Sequence, residues 1–135
     1  MKIVLDANVI IAAFAARGLC ESIMEVRLSE HDIALSDDLL DEILRNLQHK
    51  IKLPPDVVDN IGAFLREHSN ISIPVPLASD VCRDPDDIKI LGLAVASNAD
   101  YIVTGDKDLT VLKSFQGIPI LNPRSFSDIL HSGEK

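Results

Sequence analysis

Short apolar runs that end on an acidic residue, each followed by a helical pattern, constrain this chain more than any other feature. Ile3-Val4-Leu5 stops at Asp6 and leads into Asn8–Phe14, which reads as a helix. Asp32–Ser36 reads as a second strand, with Ser36 placed to cap a helix whose apolar face is Leu39, Leu40, Ile43, Leu44 and Leu47. Between these two units, Gly18 breaks the pattern, and Ile23, Met24, Val26 and Leu28 suggest a further helix. Pro54-Pro55 starts another, whose Val57, Val58, Ile61, Phe64 and Leu65 serve either as core or as a dimer face. Ile71–Pro76 alternates like a strand, but Pro74 and Pro76 have no N–H to donate and confine it to an edge. Asp84-Pro85 is a helix start, and Ile88–Ala96 is apolar enough to be a buried helix. Tyr101–Thr104 is a strand, Gly105–Asp108 a turn, and Ile118–Leu121 the last strand before Asn122-Pro123 caps a C-terminal helix. Strands alternating with helices predict an α/β fold, a three-layer α/β/α sandwich around a mostly parallel sheet. With 135 residues and no linker, repeat or low-complexity segment, one domain over residues 1–135 is expected.

Composition narrows the class. A hydrophobic content of 47% supports a packed globular chain, and no apolar run approaches the roughly 18 residues of a membrane span. The opening Met1–Asp6 carries an acid where an export signal would still be apolar, so a cytoplasmic protein is expected. Cys20 and Cys82 have no metal-binding spacing and read as free thiols, and the scattered His31, His49, His68 and His131 argue against zinc. The net charge of −8 disfavours holding nucleic acid by bulk positive charge. Acids gathered in one pocket and neutralised by divalent cations reverse that local sign, so their placement decides.

Right-handed crossovers open every strand-to-helix loop on the same edge of a parallel sheet. Asp6 follows the first strand; Asp37, Asp38, Asp41 and Glu42 begin the helix after the second; Asp84, Asp86 and Asp87 open the buried helix; Asp106 and Asp108 follow Tyr101–Thr104. Each group has an ordinary structural role available. Asp84 before Pro85 suits an N-cap, Asp86 and Asp87 complement a helix dipole, Asp41 and Arg45 are an i,i+4 pair, and Gly105-Asp106 suits a turn. Asp6 is harder to explain this way, because a carboxylate ending a central apolar strand is partly desolvated and faces Asp87 and Asp106 across the edge. Charged carboxylates in such a cluster are tolerated with a cation between them, and an all-oxygen ligand set suits Mg2+ (or Mn2+). Periodicity leaves Asp38, Asp41 and Glu42 equivalent, and Asp84 competes with Asp87. Asn8 either hydrogen-bonds a ligating carboxylate or caps locally. Thr104 and Ser36 bring hydroxyls to the edge with no histidine to activate them. Lys107 and Arg17 lie near it, and solvated surface cations are the better reading of both.

Asp6-Ala7-Asn8-Val9, Ser36 with Glu42, Asp84-Pro85-Asp86-Asp87, and Val103-Thr104-Gly105-Asp106-Lys107-Asp108-Leu109 together resemble the PIN-domain family. The resemblance runs in order from Lys2 to about Phe126. It implies an α/β/α sandwich, divalent metal and endoribonuclease activity on RNA. It also implies the toxin of a toxin–antitoxin pair, held inactive by a cognate antitoxin and often a homodimer. The resemblance selects Asp6, Glu42, Asp87 and Asp106 as the catalytic, metal-binding quartet and Asp108 as a fifth metal ligand. Asn8, Ser36, Asp84 and Thr104 are supporting groups. Two rivals stand beside it. A haloacid-dehalogenase-like phosphatase also begins on an aspartate after its first strand, but needs a second acid two residues on, where Asn8 stands here. A PIN-like binding or regulatory subunit without strong nuclease activity is the non-enzyme alternative.

Overall fold

The computed structural model describes residues 1–15 and 32–133. The helix expected around Ile23–Leu28, and with it Arg17, Gly18, Cys20 and His31, lies outside the described residues. In chain order the elements are β1 (Lys2–Leu5), α1 (Ala7–Ala15), β2 (Asp32–Leu35), α2 (Asp37–His49), α3 (Pro55–His68), β3 (Ser69–Ile71), α4 (Pro85–Ser97), β4 (Tyr101–Val103), α5 (Lys107–Thr110), β5 (Ser114–Phe115), β6 (Ile118–Leu121) and α6 (Pro123–Gly133). The sheet runs β3-β2-β1-β4-β6-β5. All neighbouring strands are parallel except the β5–β6 pair. Helices flank this sheet, as the α/β/α pattern requires.

Burial explains why the strands read as continuous apolar runs. Ile3, Val4 and Leu5 of β1 are at most 6% exposed, because this strand sits in the middle of the sheet between β2 and β4. Ile102 and Val103 of β4 are equally buried beside it. The α2 stripe packs inward through Leu40, Ile43 and Leu47, which are fully buried. Each such side chain contributes about 1.5–3 kcal/mol relative to exposure. The cap on α2 is the one the sequence predicts: Ser36 Oγ accepts from the Leu39 backbone N–H at 3.1 Å. On α3, Val58, Ile61 and Leu65 are buried in the core, Phe64 packs against it half-buried, and Val57 is exposed. Among the described residues, no helix is long and apolar enough to cross a membrane. Cys82 is a free, half-buried thiol.

The strand expected over Ile71–Pro76 is shorter and earlier than the pattern suggests. β3 is an edge strand that ends at Ile71, and its ladder persists only through Ser72, whose N–H donates to Leu35 O at 2.8 Å. Pro74 and Pro76 then leave the chain without donors, and the segment crosses α4 instead. There the Val75 N–H donates to Gly92 O at 3.1 Å. Gly92 makes that approach possible, since a Cβ at this position would stand 2.4 Å from Val75 O. A hairpin absent from the sequence pattern also appears. Gln116 and Gly117 both take positive φ, of 49° and 82°, and close a two-residue turn between β5 and β6.

Candidate active site

The strand order places one crevice before any side chain is considered. From β1 the chain moves outward to β2 and β3, then returns through α4 to β4 on the other side of β1. Connections leaving β1 and β4 therefore diverge, and open α/β sheets bind ligands where the order reverses in this way. Leu5 is in register with Val103, so Asp6 and Thr104 are neighbours at the carboxyl ends of the two strands.

Thr104 is fully buried and works at both ends of its hydroxyl. Its Oγ1 donates to Asp6 Oδ2 at 2.7 Å and accepts from the Asp106 N–H at 3.0 Å. Asp106 then caps α5, with Oδ1 accepting from the Asp108 N–H at 2.9 Å. Asp84 caps α4 in the same way, with Oδ1 accepting from the Asp86 N–H at 2.9 Å. Asp84 is the N-cap that the sequence suggests, whereas Asp106 caps a helix over Lys107–Thr110 where a Gly105–Asp108 turn is expected; each carboxylate still has a second oxygen. Asp84, Asp87 and Asp106 each bring a carboxylate oxygen to within 4.8 Å of the others.

Asp87 is the least comfortable member of this group. It is 5% exposed, and its Oδ2 is buried with no hydrogen-bond partner. Burial pushes its carboxyl from the ordinary 3.8 to about 7, helped by a hydrogen bond and charge repulsion from Asp106 and by the charges of Asp84 and Asp6. Two full charges within 4.8 Å of each other repel by at least about 3.5 kcal/mol at an effective dielectric constant of 20. Such repulsion is relieved by a proton or a cation between the carboxylates.

The donor set fits a hard divalent cation. It is all carboxylate oxygen, it includes a buried oxygen without a partner, and its spacing is nearly right. The three oxygens all lie within 4.8 Å of one another, close to the widest spacing, about 4.2 Å, of two ligands about 2.1 Å from one Mg2+ ion.

Glu42 stands apart from the three-acid cluster and faces it along a groove of about 1190 Å³ lined by Asp6, Asn8, Ser36, Glu42, Asp86 and Asp87, among others. Its carboxyl is raised by burial first, then by the charges of Asp86 and Asp6, with Arg45 and Lys50 opposing. Asp86, weighed in the sequence only for the helix dipole, is thus part of the electrostatic environment. Asn8 is exposed in the groove wall and makes no side-chain hydrogen bond among the described residues. Asp108 lies outside the three-acid cluster: its Oδ1 accepts from Arg83 Nη2 at 2.9 Å. Arg83 escaped notice in the sequence because nothing local marks a residue 25 positions away as its partner.

Removing the Thr104 hydroxyl tests the link between the two strand-end acids. Thr104→Val is expected to keep the fold, because the shapes match, but to cost about 1–3 kcal/mol in denaturant melts by leaving the Asp106 N–H unpaired. Thr104→Ser retains a hydroxyl and is expected to recover most of that loss. Equal stability of all three chains would contradict the link.

Comparison with known proteins accords with this geometry. A family model described as PIN domain matches residues 2–108. An uncharacterized protein of Methanocaldococcus jannaschii is 32% identical over 118 residues, which cover 84% of this chain and 76% of that protein. Among solved structures, VapBC2 from Rickettsia felis, crystallised with a DNA fragment from its promoter, contains a chain of similar fold. The TM-score is 0.57 at 18% identity, over 90% of this chain and 98% of that one. A family match over most of the length, together with a relative above 30% identity, shows that this chain belongs to the PIN-domain family.

Proposed function

We propose that this protein is a divalent-metal-dependent endoribonuclease that hydrolyses RNA phosphodiester bonds, with Asp6, Glu42, Asp87 and Asp106 as its catalytic acids. The observation that carries the reading is the buried, unpartnered oxygen of Asp87 inside a cluster of three carboxylates at the sheet's switch point. Asp84 joins Asp87 and Asp106 in holding Mg2+ (or Mn2+), a role for Asp84 larger than that of a supporting residue. Asp108, paired with Arg83, is read as an anchor of the α5 loop in place of a fifth ligand.

A bound divalent cation supplies charge against the scissile phosphate and makes water more acidic. The chain's own residues do the rest. Thr104 fixes Asp6 against the Asp106 loop, so that two acids from different strands keep one spacing. Asp87, with Asp84 and Asp106, would hold the cation through its unprotonated carboxylate. Glu42, with its carboxyl raised and its position in the groove wall, accepts a proton from the attacking water. Membership of the family and the VapBC2 neighbour favour the toxin of a toxin–antitoxin pair with a cognate antitoxin as partner; we take it to act in the cytoplasm and as a homodimer.

Incubation of the purified chain with end-labelled single-stranded RNA tests the activity. Cleavage in Mg2+ or Mn2+, lost on chelation and restored by added Mn2+, is expected. Release of inorganic phosphate from small phosphoesters without RNA cleavage would instead support the phosphatase rival.

A further inference from the structure

The groove that holds Glu42 does not end at the acids. It continues down α2 to Arg45, His49 and Lys50, which line the same cavity as Asp6 and Asp87. Arg45 lies three residues beyond Glu42, His49 seven and Lys50 eight, or about one to two helical turns of roughly 5.4 Å each. The i,i+4 arrangement read from the sequence would spend Arg45 on the Asp41 carboxylate. In the structure Arg45 Nε donates to the Asp41 backbone carbonyl at 3.4 Å, and that carboxylate is not used. Among the described residues, no carboxylate forms an ion pair with Arg45, His49 or Lys50. Lys89, the other cation lining the groove, is 3.9 Å from Asp38 at the acidic end. One wall thus changes from acidic to basic along its length, in a chain whose net charge is −8. Completing the dipole of α2 accounts for cations at its last turn. It does not account for their lining the groove that holds the acids, close enough for Arg45 and Lys50 to act on Glu42.

We propose that Arg45, His49 and Lys50 form a subsite for the backbone phosphates that flank the scissile bond, so that a single RNA strand runs along α2 from the acid cluster towards Lys50. The inference rests on the nuclease reading and adds the path of the substrate. Phosphates lying against Arg45 and Lys50 release counterions, and the strand gains affinity without base readout. His49 contributes a ring N–H between them. Lys107, which lines no part of this groove, is outside the path.

Fluorescence anisotropy of a labelled single-stranded RNA of mixed sequence, measured in Mg2+ with the Asp87→Asn chain to prevent turnover, tests the path. Adding Arg45→Ala and Lys50→Ala together is expected to weaken binding about tenfold at 50 mM salt and to flatten the log–log salt dependence by about 1.4, at about 0.7 per lost phosphate contact. Lys107→Ala in the same background is expected to change neither. With Asp87 intact, the double variant is expected to raise KM and leave kcat nearly unchanged. An unaltered salt slope, or an equal loss from Lys107→Ala, overturns the subsite while leaving the nuclease reading in place. Metal-dependent cleavage that survives Asp87→Asn overturns the acid site and leaves the subsite to stand or fall on its salt slope.

Discussion

Asp87→Asn is expected to lower RNA cleavage by about a thousandfold while making the metal-free protein more stable. The two effects come from one atom. Oδ2 of Asp87 is buried without a partner, beside the carboxylates of Asp84 and Asp106. Asparagine keeps the shape, removes the negative charge and offers an N–H to Asp106. Loss of one preorganised charge at a reacting centre typically costs about 10²–10³ in rate. The same change removes a like-charge contact from a desolvated site and is expected to add about 1–2 kcal/mol to stability at pH 8, a rise of about 3–5 °C in Tm per kcal/mol. A residue serving only the fold would show the opposite pattern, with destabilisation and activity falling together. Cleavage assays and thermal melts of the same preparation separate the two.

Stability without metal is expected to fall as pH rises from about 4 to 8, and divalent metal is expected to remove most of that fall. Asp87 has its carboxyl raised from the ordinary 3.8 to about 7, and Glu42 is raised in the same direction. A carboxyl that binds its proton more tightly in the folded state stabilises the fold fully below its unfolded value. That contribution is lost as pH climbs through the folded value, here between about 4 and 7 for Asp87. Most proteins lose stability towards acid through carboxylates that are paired in the native state, and the cluster opposes that trend. A divalent cation held by the folded cluster would take the place of the proton on Asp87 and so would stabilise most where that proton is absent. Denaturant midpoints across this range, with chelator and then with Mn2+, give the check. A metal-free stability that rises steadily to pH 8 would contradict the burial of charge at Asp87.

Local signals in the sequence carried far, and non-local ones did not. Ser36, Asp84 and Asn122 are legible as caps because capping is decided within three residues, and the hydrogen bonds are where the pattern puts them. The parallel sheet follows from alternation alone. The adjacency of β1 and β4 does not, since nothing near Asp6 records that Thr104, 98 residues away, will donate to it. Likewise Arg83 and Arg45 look like ordinary surface cations until packing sets one against Asp108 and the other in the groove wall. The Ile71–Pro76 segment shows alternation misleading, because its prolines and the bare Gly92 backbone favour crossing a helix over extending an edge. Which acids share one site depended on family resemblance in the sequence; the structure adds that carboxylate oxygens of Asp84, Asp87 and Asp106 come together and that Asp108 pairs with Arg83.

Calorimetric titration of the metal-free protein with Mn2+ at pH 7, repeated in buffers of different ionisation enthalpy, tests the acid cluster most directly. Saturable binding with release of a fraction of a proton is expected, since burial and its acidic neighbours raise the Asp87 carboxyl to about 7, and the release should diminish as pH rises above that value. The Asp87→Asn chain should bind far more weakly and release no proton. A folded wild-type chain that gives no saturable heat with Mn2+ or Mg2+ would contradict the account.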